Sequence, residues 1–416
     1  MIQTSIITIG DELLIGQVID TNSAWMAQQL NKSGIRVARR VAVGDVWDEI
    51  WNALDQESKQ ADIILITGGL GPTADDITKP LLCKYFSGKM VVDDGALQNV
   101  VNIFTNILKR PIIERNLKQA EVPDNCKVLL NKRGTAPGMW FEKEGKIFVS
   151  MPGVPNEMKG MMLDDVIPLL NNHFQFPHIA HRTLLTAGVG ESFIADMIED
   201  FEKALPKHIK LAYLPNYGMV RLRLSSTGLE MQTTEDEIQQ YFISLQEKVK
   251  EFLVTNEDEP MQQVVANLLI TKNKTISTAE SCTGGYIAHL LTQKAGASAY
   301  YNGSIVSYSY KAKESLLGVD QSVLEIKGAV SEEVVIQMAK GALESLNSDY
   351  TIAVSGIMGP DGGMKDKPVG TVWIAVGNTD KIVTEKFIFH FDRTRNIELT
   401  ANFALNMLRK FILSLI

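Results

Sequence analysis

The sequence predicts an α/β protein with two doubly wound, three-layer sandwich domains joined by a small α+β domain. Strand-like apolar runs alternate with amphipathic helical stretches in both terminal parts of the chain, as in parallel sheets covered by helices. The part between them carries the pattern of an antiparallel hairpin with helices. At 416 residues, the chain is long enough for two or three domains that each bury a core.

Composition and charge argue against several classes of protein. Hydrophobic residues make up 45% and charged residues 22%, as is ordinary for a globular protein. The net charge of −8 argues against broad nucleic-acid binding, which needs a basic face. The three cysteines form no CxxC pair, so we expect neither disulfides nor a zinc site, and we expect a cytoplasmic location. No apolar run approaches the ~20 residues of a membrane span, so we expect neither a membrane segment nor a leader.

The N-terminal part alternates strands with helices. SIITIG predicts a buried strand that turns at Gly10, and a helix begins near Asp20. IRVARRVAVGD predicts a second strand that ends at Asp45, and another helix follows it. ADIILIT predicts a third, fully apolar strand that breaks into a glycine-rich turn. This succession predicts a parallel sheet, in which ligands gather at the carboxyl ends of the strands.

The carboxyl ends of these strands carry glycines and oxygen-bearing side chains. Glycines permit close approach of the backbone to a ligand, and the oxygens suit a hydroxyl or a hard divalent cation. The same residue types are typical of helix caps and turns, and the sequence leaves that alternative open. The candidates are Asp11, Asp45, Gly68, Gly69, Gly71, Thr73, Asp75 and Asp76.

The rest of this part predicts two short strands, at residues 127–130 and 146–151, around a Gly-Pro loop. MPGVPNEM then begins a helix with Pro155 in its first turn. Glu157 either faces the ligand site or is a first-turn carboxylate that the helix dipole favours.

From about His173 the pattern changes. A strand, a glycine turn and a helix precede two strands around a Pro-Asn-Tyr-Gly turn and an amphipathic helix, which predicts a small α+β module. Thr255 to Pro260, a polar and acidic segment that ends in proline, is the predicted linker. Beyond it, strands and helices alternate again up to a long terminal helix.

The elbow between a strand and a helix at Thr275 to Gly285 is the segment best suited to chemistry. Its backbone N–H groups and positive helix end suit a phosphate or an oxyanion. Ser281 needs a base, and a lysine shielded from water, Lys311 or Lys313, can lose its proton near neutrality. Alternatively, Ser281 and Thr283 cap the helix and both lysines are solvated. A second glycine turn at Ser355 to Gly363 and Arg393 would complete a phosphate clamp.

Five blocks of the C-terminal part, TAESCTGG, YSYKAKESLLGV, GAVSEEVV, SGIMGPDGG and KPVGTVWIA, resemble the C-terminal domain of the competence/damage-inducible protein A (CinA) family, the nicotinamide-nucleotide amidohydrolases. The resemblance implies hydrolysis of the carboxamide of nicotinamide mononucleotide to nicotinic acid mononucleotide and ammonia, without a cofactor. It implies Ser281 as nucleophile, Lys313 as base and Tyr308 in the proton path. Backbone N–H groups near Cys282 to Gly284 would hold the oxyanion. The implied substrate-binding residues are Thr283, Gly284, Gly285, Ser355, Gly356, Gly359 and Arg393.

The sequence departs from this family pattern at a few positions. Met358 stands where alanine is expected, and Tyr310 and Lys311 replace small or polar residues. The charge of Lys311 would favour the neutral form of Lys313. Arg395 stands earlier than the expected second arginine, which leaves its role open. Cys282 is either a reactive thiol beside a helix end or, as we prefer, a small buried filler.

The N-terminal blocks GDELLIGQVIDTN, TGGLGPTADDIT and MPGVPNEM resemble the molybdopterin-binding (MoaB/MogA-like) domain of CinA proteins. Members of this type are associated with metal-dependent ADP-ribose pyrophosphatase activity. The resemblance implies that Asp45 and Asp76 face the nucleotide and a divalent metal, Mg, Mn or Co, with Asp75 and Glu157 nearby. The middle part corresponds to a KH-like connecting domain. Its GVGE turn lacks the basic residues of an RNA-binding loop, so we expect a spacer or dimerisation role.

The predicted domains are therefore residues 1–170, molybdopterin-binding-like; 171–255, KH-like; and 256–416, the nicotinamide mononucleotide deamidase domain. The expected partners are nicotinamide mononucleotide, ADP-ribose and a second copy of the chain in a homodimer, with neither nucleic acid nor membrane. Two alternatives stay open. The chain could act as a pyrophosphatase with an inactive amidase domain, or as a DNA-uptake or repair accessory protein.

Overall fold

The computed structural model describes residues 2–73, 76–216 and 218–416. The chain divides into two compact units, Met1–Ile179 with Thr227–Thr234, and Ala180–Ser226 with Glu235–Ile416. The second unit contains the C-terminal sandwich and most of the small α+β module. Among the described helices, none combines the length and the apolarity needed to cross a bilayer.

The N-terminal sandwich contains eight strands in the described residues. Its first half comprises β1 (Thr4–Ile9), α1 (Asp11–Leu14), α2 (Thr21–Lys32), β2 (Val37–Val43), α3 (Trp47–Ser58), β3 (Ile63–Thr67) and α4 (Thr78–Tyr85). Its second half comprises β4 (Met90–Val92), α5 (Asp94–Asn102), a π-helical turn (Ile103–Ile107), α6 (Glu114–Leu117), a 3₁₀ turn (Lys118–Ala120), β5 (Glu121–Pro123), β6 (Lys127–Leu129), β7 (Gly138–Lys143), β8 (Lys146–Met151), α7 (Pro155–Met161), a π-helical turn (Met162–Val166) and α8 (Ile167–His173).

The main sheet of this sandwich has the strand order β2-β1-β3-β8-β7-β6. Its apolar faces are covered on one side by α2, α7 and α8, and on the other by α3 and α4, which confirms the three-layer prediction. The first four strands are parallel, as predicted for β1, β2 and β3, whereas β7 runs antiparallel to both of its neighbours, β8 and β6. The reason is a two-residue hairpin turn at Glu144 and Gly145, whose left-handed φ angles of 53° and 74° return the chain directly.

The small module is an antiparallel sheet with three helices on it. Its elements are β9 (His178–Ala187), α9 (Glu191–Met197), α10 (Glu199–Lys203), β10 (Ile209–Asn216), β11 (Met219–Gly228), α11 (Met231–Lys248) and β12 (Leu253–Thr255). The strand order is β10-β11-β9-β12, and β10 pairs with β11 as the predicted hairpin. Leu185, Ala187 and Met219 of this module also join the core of the C-terminal sandwich.

The C-terminal sandwich places its strands between two helical layers. Its elements are α12 (Met261–Thr271), β13 (Ile276–Glu280), α13 (Tyr286–Thr292), a 3₁₀ turn (Ala297–Ala299), β14 (Tyr301–Val306), α14 (Tyr310–Leu317), α15 (Gln321–Lys327), α16 (Glu332–Leu346), β15 (Tyr350–Gly356), β16 (Thr371–Gly377), β17 (Ile382–Ile388) and α17 (Arg393–Ile412). The sheet order is β14-β13-β15-β16-β17. The first three strands are parallel, and β16 runs antiparallel to both of its neighbours, β15 and β17. Helices α12, α13 and α17 cover one face, and α14, α15 and α16 cover the other.

Gly341 lets helix α16 pack against the main chain of Leu317. A Cβ atom at Gly341 would lie 2.0 Å from the Leu317 carbonyl oxygen. Alanine normally stabilises a helix interior by about 1 kcal/mol relative to glycine. Here we expect Gly341→Ala to destabilise the second unit by roughly 1–3 kcal/mol, because overpacking outweighs that gain. Scanning calorimetry should show a transition several degrees lower for this unit.

The control is Lys340→Ala at the exposed neighbouring position, which should leave the transition unchanged. A variant Gly341→Ala as stable as the wild type would contradict the close approach of α16 to Leu317.

Candidate functional site

Three parallel strands of the C-terminal sheet end at one edge, and residues of the site follow or end each of them. Ser281 comes directly after β13, Ser307 comes directly after β14, and Ser355 and Gly356 are the last residues of β15. The Ser281 amide donates to the Val354 carbonyl of β15 at 3.1 Å. The loop that carries Ser281 therefore starts in a fixed position beside the neighbouring strand.

Lys313 reaches this serine from the first turn of α14. Its Nζ donates to Ser281 Oγ at 2.9 Å and to the Ser307 carbonyl at 2.7 Å. The Lys313 side chain is 1% exposed and Ser281 is 7% exposed. Burial lowers the pKa of Lys313 from 10.5 to about 8, so the neutral amine that can accept a proton is accessible near neutral pH. The structure thus joins the serine and one of the two lysines, whereas Lys311 is exposed.

Neither Ser281 nor Thr283 caps α13 in the expected way. The N-terminus of this helix is instead occupied by the carboxylate of Glu280, the fully buried last residue of β13. Its five donors are Thr278 Oγ1 (3.1 Å), Thr283 Oγ1 (2.7 Å) and the amides of Gly285 (3.1 Å), Ile287 (3.0 Å) and Ala288 (2.8 Å). The outward-facing helix end that we expected to hold a phosphate is therefore already filled by the protein.

Glu280 leaves few backbone amides of the elbow without a hydrogen bond to its carboxylate. Gly284 donates its amide to the Ser281 carbonyl at 3.2 Å. Across the described part of the chain, no other residue accepts a hydrogen bond from the amides of Cys282 and Thr283. These two N–H groups directly follow Ser281 and are the donors left for an oxyanion.

The other predicted substrate-binding residues lie around the end of β15 and the start of α17. Arg393 donates to the Gly359 carbonyl at 2.8 Å and to the Tyr308 hydroxyl at 3.1 Å. Tyr308 is 64% exposed, and within the described residues its hydroxyl has no hydrogen bond to Ser281 or Lys313. The structure thus groups Tyr308 with the arginine. The Arg395 guanidinium lies 4.2 Å from the Phe391 ring centroid.

Ser355 and Gly356 have structural partners of their own. The buried Ser355 hydroxyl donates to the Ala329 carbonyl at 2.7 Å, and the Ala329 amide donates to the Tyr310 hydroxyl at 3.3 Å. A Cβ atom at Gly356 would lie 2.9 Å from the Thr371 carbonyl oxygen, so glycine there permits close strand packing. These contacts fix the loop between α15 and α16 beside the end of β15.

Cys282 and Met358 are both buried in the core of this domain. Burial raises the pKa of the Cys282 thiol to about 12. A thiol that stays protonated is a weak nucleophile, and its position agrees with the role of a small filler.

A second candidate site lies at the carboxyl ends of the parallel strands of the N-terminal sheet. A cavity of about 440 Å³ is lined there by most of the residues predicted for the nucleotide site, together with Glu12, Gln119 and Thr135. The predicted residues that line it are Asp45, Gly68, Gly69, Gly71, Asp76 and Glu157. Asp75 lies outside the described residues. The sequence thus identified much of this cavity wall.

Backbone amides tie the aspartates of this cavity into its loops. Asp11 and Asp45 each accept a hydrogen bond from the amide of the other at 3.1 Å, which joins the ends of β1 and β2. Asp76 accepts the amides of Gly71 and Thr73 at 2.8 Å, and also the Thr73 hydroxyl. These carboxylates therefore stabilise turns, as one alternative predicted, and their positions are also compatible with the predicted ligand site.

Glu157 lies in the first turn of α7 and also lines the cavity. Asn131 donates to its carboxylate at 2.7 Å, and burial raises the pKa of Glu157. Asn131 also donates to the Ala136 carbonyl at 3.0 Å, so it connects the loop after β6 to this carboxylate.

A divalent metal fits the N-terminal cavity only in part. Asp45 and Asp76 offer the hard oxygen ligands that Mg²⁺ prefers. However, the described residues contain no group of three or more His, Cys, Asp or Glu side chains arranged to hold a metal ion. Mg²⁺ commonly takes one or two carboxylates and completes its shell with substrate phosphates and water. The donor set therefore fits an ion that arrives with a nucleotide.

The sequence analysis missed Glu280 and Asn131. Each had a signal in the sequence. Glu280 is a carboxylate at the end of an otherwise uncharged buried strand, and Asn131 precedes a glycine and proline loop between two strands. A polar residue at a position that the pattern predicts to be buried needs a hydrogen-bonding partner, and that partner can be a functional loop.

The fold and the two sites define a multidomain protein with a molybdopterin-binding-type domain, a KH domain and a C-terminal domain that holds a serine and lysine pair. Residues 5–172 match the family model described as a probable molybdopterin binding domain. Residues 181–255 match the damage-inducible protein CinA KH domain, and residues 258–412 match the CinA C-terminal domain.

Similar proteins extend over the whole chain. A CinA-like protein of Cytophaga hutchinsonii is 47% identical over 409 residues, 98% of each chain, and one of Flavobacterium psychrophilum is 44% identical over 412 residues, 99% of each chain. The crystal structure of the competence damage-inducible protein A (ComA) from Klebsiella pneumoniae is 36% identical, with a TM-score of 0.35 over 36% of this chain and 93% of that one. The chain belongs to the CinA family.

The cost of burying Lys313 should be visible as a pH dependence of stability. The pKa of Lys313 in the folded chain, about 8, lies below the ordinary value of 10.5. Between these values the unfolded chain binds more protons, so stability rises with pH by up to roughly 3 kcal/mol. Lys313→Met removes the titrating amine, and we expect calorimetry of the second unit to show a smaller rise from about pH 8 to about pH 10.5.

Lys311→Met is the matched control, because Lys311 is exposed on the same helix. It should keep the wild-type pH dependence. A full wild-type rise in the Lys313 variant would mean that the amine does not titrate in this range.

Proposed function

We propose that the C-terminal domain hydrolyses the carboxamide of nicotinamide mononucleotide to nicotinic acid mononucleotide and ammonia. The observation that carries this proposal is the buried hydrogen bond of 2.9 Å between Lys313 Nζ and Ser281 Oγ. A serine activated by a neutral lysine is a known design for acyl transfer. Membership of the CinA family supports the choice of substrate.

In the first step, Ser281 Oγ attacks the carboxamide carbon while neutral Lys313 accepts the hydroxyl proton. The oxyanion that forms would lie against the amides of Cys282 and Thr283. The Lys313 ammonium then gives its proton to the departing nitrogen, the carbon–nitrogen bond breaks, and ammonia leaves. The product of this step is an ester of Ser281.

In the second step, water attacks the ester carbon and Lys313 takes the proton from it. Collapse of the intermediate returns the proton to Ser281 Oγ and releases the carboxylate product. The substrate phosphate would pair with Arg393, which is exposed at the start of α17 and already oriented by Gly359 and Tyr308. The proposed steps use side chains and backbone amides of this domain together with water.

Ser281→Ala removes the nucleophile and should lower ammonia release from nicotinamide mononucleotide by on the order of 10³-fold or more. Cleavage of ADP-ribose by the same preparation should not change, because Ser281 belongs to the C-terminal domain. Ser315→Ala, at an exposed serine on α14, is the control and should retain full ammonia release. Equal loss of both activities in Ser281→Ala would contradict two separate sites.

A second function fits the N-terminal domain, metal-dependent hydrolysis of ADP-ribose at its diphosphate. The observation in its favour is the cavity whose wall combines glycine turns with the carboxylates of Asp45, Asp76 and Glu157. Glycine turns allow backbone amides to approach phosphate oxygens. Asp45 and Asp76 would hold a divalent cation together with the substrate, and the cation would supply charge stabilisation at the phosphates.

Asp76→Asn should remove most of the ADP-ribose cleavage measured with Mg²⁺, Mn²⁺ or Co²⁺, while ammonia release from nicotinamide mononucleotide stays at the wild-type level. Asparagine loses the negative charge that a cation needs. It also keeps only one of the two carboxylate oxygens that accept from the Gly71 and Thr73 amides, so one of these amides loses its acceptor. Asp48→Asn, at an exposed carboxylate in the first turn of α3, is the matched control. Unchanged cleavage in Asp76→Asn would contradict this assignment.

A further inference from the structure

Glu280 is a buried carboxylate that has no counter-ion within the described residues. Its side chain is fully buried, and it accepts five hydrogen bonds, all from hydroxyl or backbone N–H groups. A buried charge that lacks an ion pair has an unfavourable free energy of desolvation even when it is hydrogen-bonded. A neutral serine or threonine would cap the N-terminus of the helix with a smaller desolvation penalty. Fold stability alone is therefore a poor reason for a carboxylate here.

The hydrogen bonds of Glu280 determine the path of the chain between the nucleophile and the helix. They draw the Thr283 hydroxyl and the first amides of α13 back toward the end of β13. This return needs left-handed backbone at Gly284 and Gly285, whose φ angles are 63° and 95°. As a result, the amides of Cys282 and Thr283 are left without a hydrogen bond to another residue of the described chain, directly after Ser281.

We propose that Glu280 is a positioning residue of the amidase site, which selects the Cys282 and Thr283 amides as the oxyanion donors by binding the other N–H groups of the elbow. The inference rests on the proposed function. Glu280 touches neither substrate nor reacting atoms. It acts by holding Thr283 and the start of α13, and thereby the geometry of the two free amides relative to Ser281 Oγ.

Glu280→Gln tests this role. Glutamine has nearly the same size, but its amide group presents donors to a site that consists of donors, so the elbow must rearrange. We expect kcat for nicotinamide mononucleotide to fall by about 10- to 100-fold, less than the roughly 100- to 1,000-fold for complete loss of an oxyanion donor, because the two amides are displaced and not removed. KM should change less than about twofold, because Arg393 lies on another element. The apparent pKa of the rate should change little, because burial is the main cause of the lowered pKa of Lys313.

Thr283 provides a rescue experiment. Thr283→Val removes the hydroxyl that donates to Glu280 and should lower kcat, whereas Thr283→Ser keeps the donor and should restore most of it. The two variants Glu280→Gln and Thr283→Val should be non-additive when combined, because they break the same hydrogen bond.

Glu57→Gln is the matched control. Glu57 is a 1% exposed glutamate of the first unit, where it accepts the Ser5 hydroxyl at 2.6 Å and pairs with Arg39 at 3.3 Å. Its substitution should lower the stability of that unit and leave kcat for nicotinamide mononucleotide unchanged. Loss of kcat in the control equal to that in Glu280→Gln would overturn the inference.

Labelling of Ser281 by an alkyl fluorophosphonate separates this inference from the proposed substrate. The probe needs the nucleophile and the oxyanion donors but not a carboxamide. Slower labelling of folded Glu280→Gln, in proportion to its loss of kcat, supports the positioning role. If the wild type is labelled but releases no ammonia, the proposed substrate is wrong, and the labelling rates still test Glu280. The inference is overturned if Glu280→Gln is labelled at the wild-type rate. It is also overturned if the fraction of unfolded protein accounts for the whole decrease in the labelling rate.

Discussion

The contact between the Lys313 amine and the Ser281 hydroxyl depends on keeping water away from a lysine. An exposed lysine is charged at neutral pH and cannot take a proton from serine. The fold prevents this by setting the first turn of α14 against the end of β13, where the Lys313 side chain is almost fully buried and its pKa is lowered to about 8. The position of α14, the end of β13 and the elbow after it together bring the two side chains to this hydrogen-bonding distance of 2.9 Å.

The elbow illustrates how a protein charge can take a place that looks suited to a ligand. A helix N-terminus attracts anions, and in this domain the anion is Glu280 of the protein itself. The carboxylates of the N-terminal domain also bind backbone amides, but they line a cavity. Asp45 and Asp76 accept hydrogen bonds from backbone amides of their loops and are both part of the cavity wall.

The pattern of strands and helices predicted both sandwiches well, because apolar alternation and turn residues are local properties of the chain. The direction of the outer strands was not predictable in the same way. Strand β7 is antiparallel to β8 because a two-residue turn joins them, and the short turn between β16 and β17 likewise makes those two strands antiparallel. The role of Glu280 was also missed, because the hydroxyl and the amides that donate to its carboxylate are brought together only in the folded chain.

By itself, the sequence determined the α/β class, the family resemblance and the short set of residues that follow the strands, because each of these depends on the order of residues within short segments of the chain. The family resemblance pointed to Lys313, but the chemistry of the residues left Lys311 and Lys313 equal, and only the tertiary structure supplied the physical reason for the choice. One faces water and the other is buried against Ser281, since helical periodicity turns them to different sides of α14. Burial and contacts between distant segments decide which of two identical side chains can act as a base.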